Sequence, residues 1–178
     1  MASDYGLNFG FRVSDETRRS SNGRVRTPKT GAALLCGTAV EQDPTNPGFL
    51  RVAAAGVGPR TGTCGLLVQE EVWDRTIYQS EMVDSFSRGI CLPNRLSVIT
   101  NGPGTKVWFK NTNGQTRADG RVVAATTMFV AASVAVGRGL AWNGTQWIDI
   151  ADPNAPSAFM EVSFYNAAAG LVEAFLSS

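Results

Sequence analysis

Clusters of Gly, Pro, Asn and Asp cut the apolar runs of this 178-residue chain into short pieces. They recur at roughly 8–12-residue intervals, the spacing of an all-β sandwich or barrel. Asp43-Pro44-Thr45-Asn46-Pro47-Gly48 forces a loop, because two prolines remove backbone donors and fix φ. Asn101-Gly102-Pro103-Gly104, Asn111-Thr112-Asn113-Gly114 and Asn143-Gly144 repeat the punctuation. Between such clusters, strands are predicted over residues 32–40 (one or two strands), 49–53, 64–73, 95–99, 105–110, 139–142, 145–150, 159–165 and 171–176. Asn143-Gly144 suits a type I′ hairpin turn, whose two central residues need positive φ. Residues 74–90 mix charged and apolar positions, and Ile77, Met82, Val83 and Phe86 are placed for a helical turn. The fold class expected is mainly β: a small barrel or sandwich with an extended N-terminal arm.

Composition narrows the function classes. The chain has 16 basic and 15 acidic side chains, net +1, and no long basic stripe. Nucleic-acid binders carry such a stripe, so no nucleic-acid partner is expected. Histidine is absent. Its absence removes Ser-His-Asp and Cys-His catalysis, His-ligated zinc and His-bound haem, while carboxylate, Lys, Tyr or Cys chemistry stays open. The expectation is a protein that is not an enzyme, with no cofactor and no metal.

Cys36, Cys64 and Cys91 each sit in an apolar run, and an odd count without a Cys-x-x-Cys pair is no disulfide framework. They are expected to be buried, reduced thiols in a chain folded in a reducing cytosol. The N-terminus lacks the basic region and apolar run of a signal peptide. The 16 uncharged residues 122–137 are too few and too polar for a spanning helix, which needs about 20 apolar residues. Their β-branched content suits buried strands instead, and no membrane partner is expected.

Residues 1–28 read as an arm, and residues 29–178 as the β-rich body. Residues 1–30 hold six basic side chains against three acidic, a local net of +3. Between Ser14 and Arg26 the one large apolar residue is Val25, so this stretch builds no core of its own. Ahead of it, Tyr5, Leu7, Phe9 and Phe11 alternate with Gly6, Asn8, Gly10 and Arg12, a period-two strand signature. One reading is a frayed terminus. The other is an arm that adds a strand to a neighbour, with Tyr5, Phe9 and Phe11 as anchors and Arg12, Arg18 and Arg19 as charge contacts.

Candidate chemical motifs fail on spacing. Gly56-Val57-Gly58-Pro59-Arg60-Thr61-Gly62 has its third glycine one place late for a dinucleotide fingerprint, and Pro59 opposes the required helix. Gly102-Pro103-Gly104-Thr105-Lys106 lacks the spacing of a phosphate loop. Asp149 and Asp152 form a paired-acid candidate only by proximity, since Asp152-Pro153-Asn154 is loop chemistry. Glu70 and Glu71 are adjacent, so on a strand they face opposite sides. Trp108, Trp142 and Trp147 lie in hairpins, where aromatics fill a core or a subunit interface.

Two segments resemble the head decoration proteins that cement tailed-bacteriophage capsids. Residues 30–72 are similar to their opening: a Gly-rich strand, a Pro/Gly loop, an Ala-rich strand and a return strand. The glycine-led strand Gly139-Leu140-Ala141-Trp142, with residues 159–162 and 170–176, is similar to the closing strands of those small barrels. The resemblance implies a structural virion protein on the outer capsid surface, made in the host bacterial cytoplasm. It further implies a homotrimer that bridges major capsid protein subunits without catalytic residues. The arm and residues 74–90 depart from that pattern. The rival expectations are a tail or head–tail connector protein, and a carbohydrate-binding β-domain that exposes Trp142 and Trp147.

Overall fold

Alternation decides which short runs become half-buried strands. In Lys106-Val107-Trp108-Phe109-Lys110 the second and fourth side chains are fully buried and the others point outward. Leu171-Val172-Glu173-Ala174-Phe175-Leu176 repeats the pattern, with Val172, Ala174 and Leu176 inward. Period-two burial of this kind fixes register, because a one-residue slip would carry every apolar group to the solvent side. The computed structural model describes residues 11–13, 23–28, 31–32, 34–58, 64–70, 90–91, 96–100, 102–111, 115–116, 122–123 and 127–177. Every regular element among the described residues is a strand, so the fold is mainly β.

Numbered in chain order, the six-stranded antiparallel sheet runs Phe11–Val13 (β1), Lys106–Lys110 (β9), Leu171–Leu176 (β15), Ala158–Asn166 (β14), Gly139–Trp142 (β12), Trp147–Ile150 (β13). The five-stranded sheet runs Gly23–Arg26 (β2), Leu96–Thr100 (β8), Cys64–Glu70 (β6), Ala39–Gln42 (β4), Leu50–Val52 (β5), again antiparallel. Two small pairs complete the set: Leu34–Leu35 (β3) with Ile90–Cys91 (β7), and Gln115–Thr116 (β10) with Val122–Val123 (β11).

Both sheets curl back toward themselves. A parallel bridge between Arg26 and Phe49 joins the two edge strands of the five-stranded sheet and closes it into a ring at that point. In the six-stranded sheet, residues 128–130 run parallel to the start of β13, with Trp147 donating to the Met128 carbonyl and Val130 to the Trp147 carbonyl, both at 2.9 Å. Asn111, directly after β9, ties that segment back. Its Oδ1 accepts from the Met128 and Phe129 amides, and its Nδ2 donates to the Phe129 carbonyl at 2.9 Å. One side-chain amide therefore does what a ladder partner would do.

The core is shared. Buried residues from both sheets form one cluster, with Trp147 fully buried at its centre. The Trp147 ring lies 5.0 Å from Trp142, 5.2 Å from Phe159 and 5.6 Å from Phe109, in tilted or edge-on geometries that suit aromatic quadrupoles. Both indole N–H groups leave their own sheet. Trp147 donates to the Gly37 carbonyl at 2.9 Å, in the turn between β3 and β4, and Trp142 donates to the Ala53 carbonyl at 3.1 Å, just after β5. Gly58 marks another close approach, since a Cβ there would lie 2.3 Å from the Pro156 carbonyl oxygen.

Three expectations need correction. First, Phe11–Val13 and Gly23–Arg26 are not a detached arm. They pair with Val107–Phe109 and Leu96–Ile99 of the same chain and sit in both sheets, across the expected boundary at residue 28. The apolar poverty of the segment is no bar to this, because strand addition at an open edge draws on backbone groups. Second, the Asn143-Gly144 hairpin exists, but Trp142 pairs with Trp147 and four residues make the connection. Gly144 takes the positive φ, while Asn143 Oδ1 accepts from the Thr145 and Gln146 amides at 2.9 Å each. Asparagine here satisfies the loop's donors with its side chain rather than serving as a central type I′ residue. Third, the described residues of the run 122–137 hold no strand pair of their own. Within that run, the described residues hold β11, the isolated bridge at Phe129 and the turns before β12. The helical turn considered within residues 74–90 falls almost wholly outside the described residues; only Ile90 is described, in β7.

Trp147→Phe keeps most of the ring but removes the donor to the buried Gly37 carbonyl. Its unfolding free energy in urea should fall by about 1–3 kcal/mol, the cost of an unpaired buried acceptor. A variant as stable as the parent would show that the carbonyl does not depend on the indole.

Candidate docking face

The side of the six-stranded sheet that faces away from the core carries large side chains in register. Across β9, β15 and β14 the central row is Trp108, Glu173, Phe164, because Glu173 is opposite Trp108 on one side and Phe164 on the other. The row toward one end is Lys106, Phe175, Glu161, and the row toward the other is Lys110, Leu171, Asn166. Phe164 is 43% exposed and Phe175 36%, which places them with the most open large apolar groups among the described residues. The Trp108 and Phe164 rings meet at 6.1 Å, tilted by 57°, over the strand between them.

A β-bulge makes that arrangement possible. The register of β14 against β15 shifts between Val162 and Phe164, so Val162 stays buried while Phe164 turns outward. Without the shift, strict alternation from Val162 would send Phe164 inward. The extra residue, Ser163, makes a contact of its own, since its hydroxyl donates to Glu173 Oε1 at 2.7 Å. Glu173 Oε2 lies 3.4 Å from the Lys106 ammonium, and that ammonium stands 5.2 Å from the centre of the Phe175 ring. The charges on this face are thus held between the aromatics, in an arrangement that presents flat apolar area with fixed polar contacts. Such surfaces mark interaction sites more often than a solitary exposed Leu does.

Six residues are expected from the sequence to form the docking arm, and the described residues place two of them. Phe11 is opposite Phe109 in the register, and Arg12 opposite Trp108. Tyr5, Phe9, Arg18 and Arg19 lie outside the described residues. Sequence reasoning does not single out Phe164, Phe175 or Glu173. The signal for the last two is the alternation of residues 171–176, which assigns an outward face only once the buried one is known.

The other candidates resolve into structural roles. Trp142 and Trp147 are 3% and 0% exposed, which removes the two anchors of the carbohydrate-binding reading. Asp149 is no free acid: its Oδ2 accepts from Arg138 Nε and lies 2.6 Å from Arg138 Nη2, and that bond raises the Arg138 pKa. Asp152 accepts the Asn154 amide at 2.8 Å as a loop cap. Asp43 caps the Pro/Gly loop in the same way, and hydrogen bonds from Asn46 and Thr45 hold its carboxyl down to about 2. Cys36, Cys64 and Cys91 are all buried and none forms a disulfide, as expected. Burial, with the nearby Glu41 charge second, pushes the Cys64 thiol up to about 11.

No protein-family model matches the chain, and no curated protein matches it. No helix among the described residues is long and apolar enough to cross a membrane.

A maleimide should react slowly with the native protein at pH 8 and with all three cysteines in denaturant, read as adduct mass. Rapid native labelling of Cys64 would contradict its burial and its raised pKa.

Proposed function

We propose that this chain is a structural virion protein that binds the outer surface of a phage capsid and stabilises the shell by bridging major capsid protein subunits. The observation that carries the reading is the outward face of the six-stranded sheet, where Trp108, Phe164 and Phe175 are arrayed around the Lys106–Glu173 pair. The resemblance of residues 30–72 and 139–176 to head decoration proteins supports it. A cementing protein acts mechanically. It needs a rigid β body and a broad contact surface, and no catalytic residue, cofactor or nucleic-acid partner. In this reading the copies cluster as homotrimers on the virion surface, and Tyr5 and Phe9 are among the capsid-docking residues.

The test is co-sedimentation with undecorated shells. The full chain should pellet with them. Changing Trp108, Phe164 and Phe175 together to Ser should weaken binding by at least about tenfold, or 1.4 kcal/mol, with an unchanged circular dichroism spectrum. Removing residues 2–10, which leaves both edge strands in place, should weaken it as well. Undiminished binding by the triple variant would overturn the assignment of the face. A full chain that ignores shells but assembles into tubes would transfer the protein to the tail class.

A further inference from the structure

Cys36 and Cys91 are 55 residues apart in sequence, yet their sulfur atoms are 3.9 Å apart in the core. Two elements bring them there. Cys36 is the second residue of the turn Leu35-Cys36-Gly37-Thr38, closed by the Thr38 amide donating to the Leu35 carbonyl at 3.2 Å. Gly37 supplies the positive φ that such a turn needs, and its amide donates to the Leu67 carbonyl while its own carbonyl accepts from Trp147. Cys91 stands on β7, directly opposite Leu34 in the β3–β7 pair. The turn is therefore clamped to both sheets, and β7 returns to it from the stretch of chain between β6 and β8.

We propose that Cys36 and Cys91 are a latent cross-link site, which a small-molecule disulfide converts into an intrachain disulfide. The sulfur atoms are already close to van der Waals contact, and a bond of about 2.05 Å requires them to approach by roughly 2 Å more. The inference is independent of the capsid reading. Chemically, Cys36 loses its proton to solvent, and its thiolate attacks one sulfur of the oxidant RS–SR. The oxidant's S–S bond breaks, and RS⁻ leaves and takes up a proton. Cys91 then loses its proton to solvent, and its thiolate attacks the mixed disulfide on Cys36, forming the Cys36–Cys91 bond and expelling the second RS⁻, which takes up a proton. Two cysteines are oxidised and one RS–SR is reduced to two RSH. Cys36 is 9% exposed and Cys91 0%, so Cys36 is the more open residue of the two, and its burial makes the first attack slow, as it makes the maleimide reaction slow. Cys64 takes no part: it sits on β6 opposite Glu41.

Closing a loop of this length restricts the unfolded chain, so the oxidised protein should melt at a higher temperature than the reduced one. The experiment treats the native full chain with oxidised glutathione at pH 8 and reads thiols, linked peptides and melting. Free thiols should fall from three to one per chain, a Cys36–Cys91 peptide should appear, and the melting temperature should rise and return on reduction. Cys64→Ser should behave as the parent does, and Cys91→Ser should trap a glutathione adduct on Cys36. A linkage that includes Cys64, stable adducts in the parent without an internal bond, or no reaction while the protein stays folded would each overturn the proposal.

Discussion

Two indole N–H groups hold this molecule together as one body. Trp142 and Trp147 face each other across the β12–β13 hairpin of one sheet, and each donates to a backbone carbonyl that belongs to the other. A buried carbonyl without a donor is costly, so these bonds fix where the loops after β3 and β5 must lie. The same rings supply the centre of the shared core, with Phe109 and Phe159 packed against Trp147. These contacts orient the five-stranded ring against the six-stranded sheet together with the rest of the shared core. The close approach of Gly58, after β5, to the Pro156 carbonyl, before β14, accompanies the same docking.

Strand existence is legible from local pattern. The predicted runs at 49–53, 105–110, 139–142 and 171–176 match strands to within a residue or so, because alternation and turn chemistry are local properties. Partner choice is not. Leu96–Thr100 and Lys106–Lys110 are neighbours in sequence across the turn at 101–104, yet they belong to different sheets. Nothing in a short turn records that crossing. The N-terminal segment reads as a free arm for a related reason: its composition shows that it cannot build a core, but an edge strand needs only backbone donors and acceptors. Residue type does not separate Trp108 from Trp142 and Trp147 either. Their difference is one of face, and it becomes visible only when Val107 and Phe109 are known to point inward.

The outward face and the inward core are two sides of the same strands. β9 buries Val107 and Phe109 and presents Lys106, Trp108 and Lys110; β15 buries Val172 and Ala174 and presents Glu173 and Phe175. A surface built this way stands on strands whose other side chains are locked in the core, which limits the backbone ordering left to oppose binding. The bulge at Ser163 departs from strict alternation, and it both exposes Phe164 and fixes Glu173. The mechanical role we propose would draw on that combination of aromatic area and fixed charge.

Native-state hydrogen exchange tests the shared-core account most directly. The amides of Gly37 and Leu67 report on the five-stranded side, and those of Trp147 and Leu176 on the six-stranded side. If the tryptophan contacts join the sheets into one cooperative unit, all four exchange through the same global opening, with a common free energy and denaturant dependence. If one pair exchanges through a separate, smaller opening while the other remains protected, the sheets unfold independently and the indole bonds do not unite them.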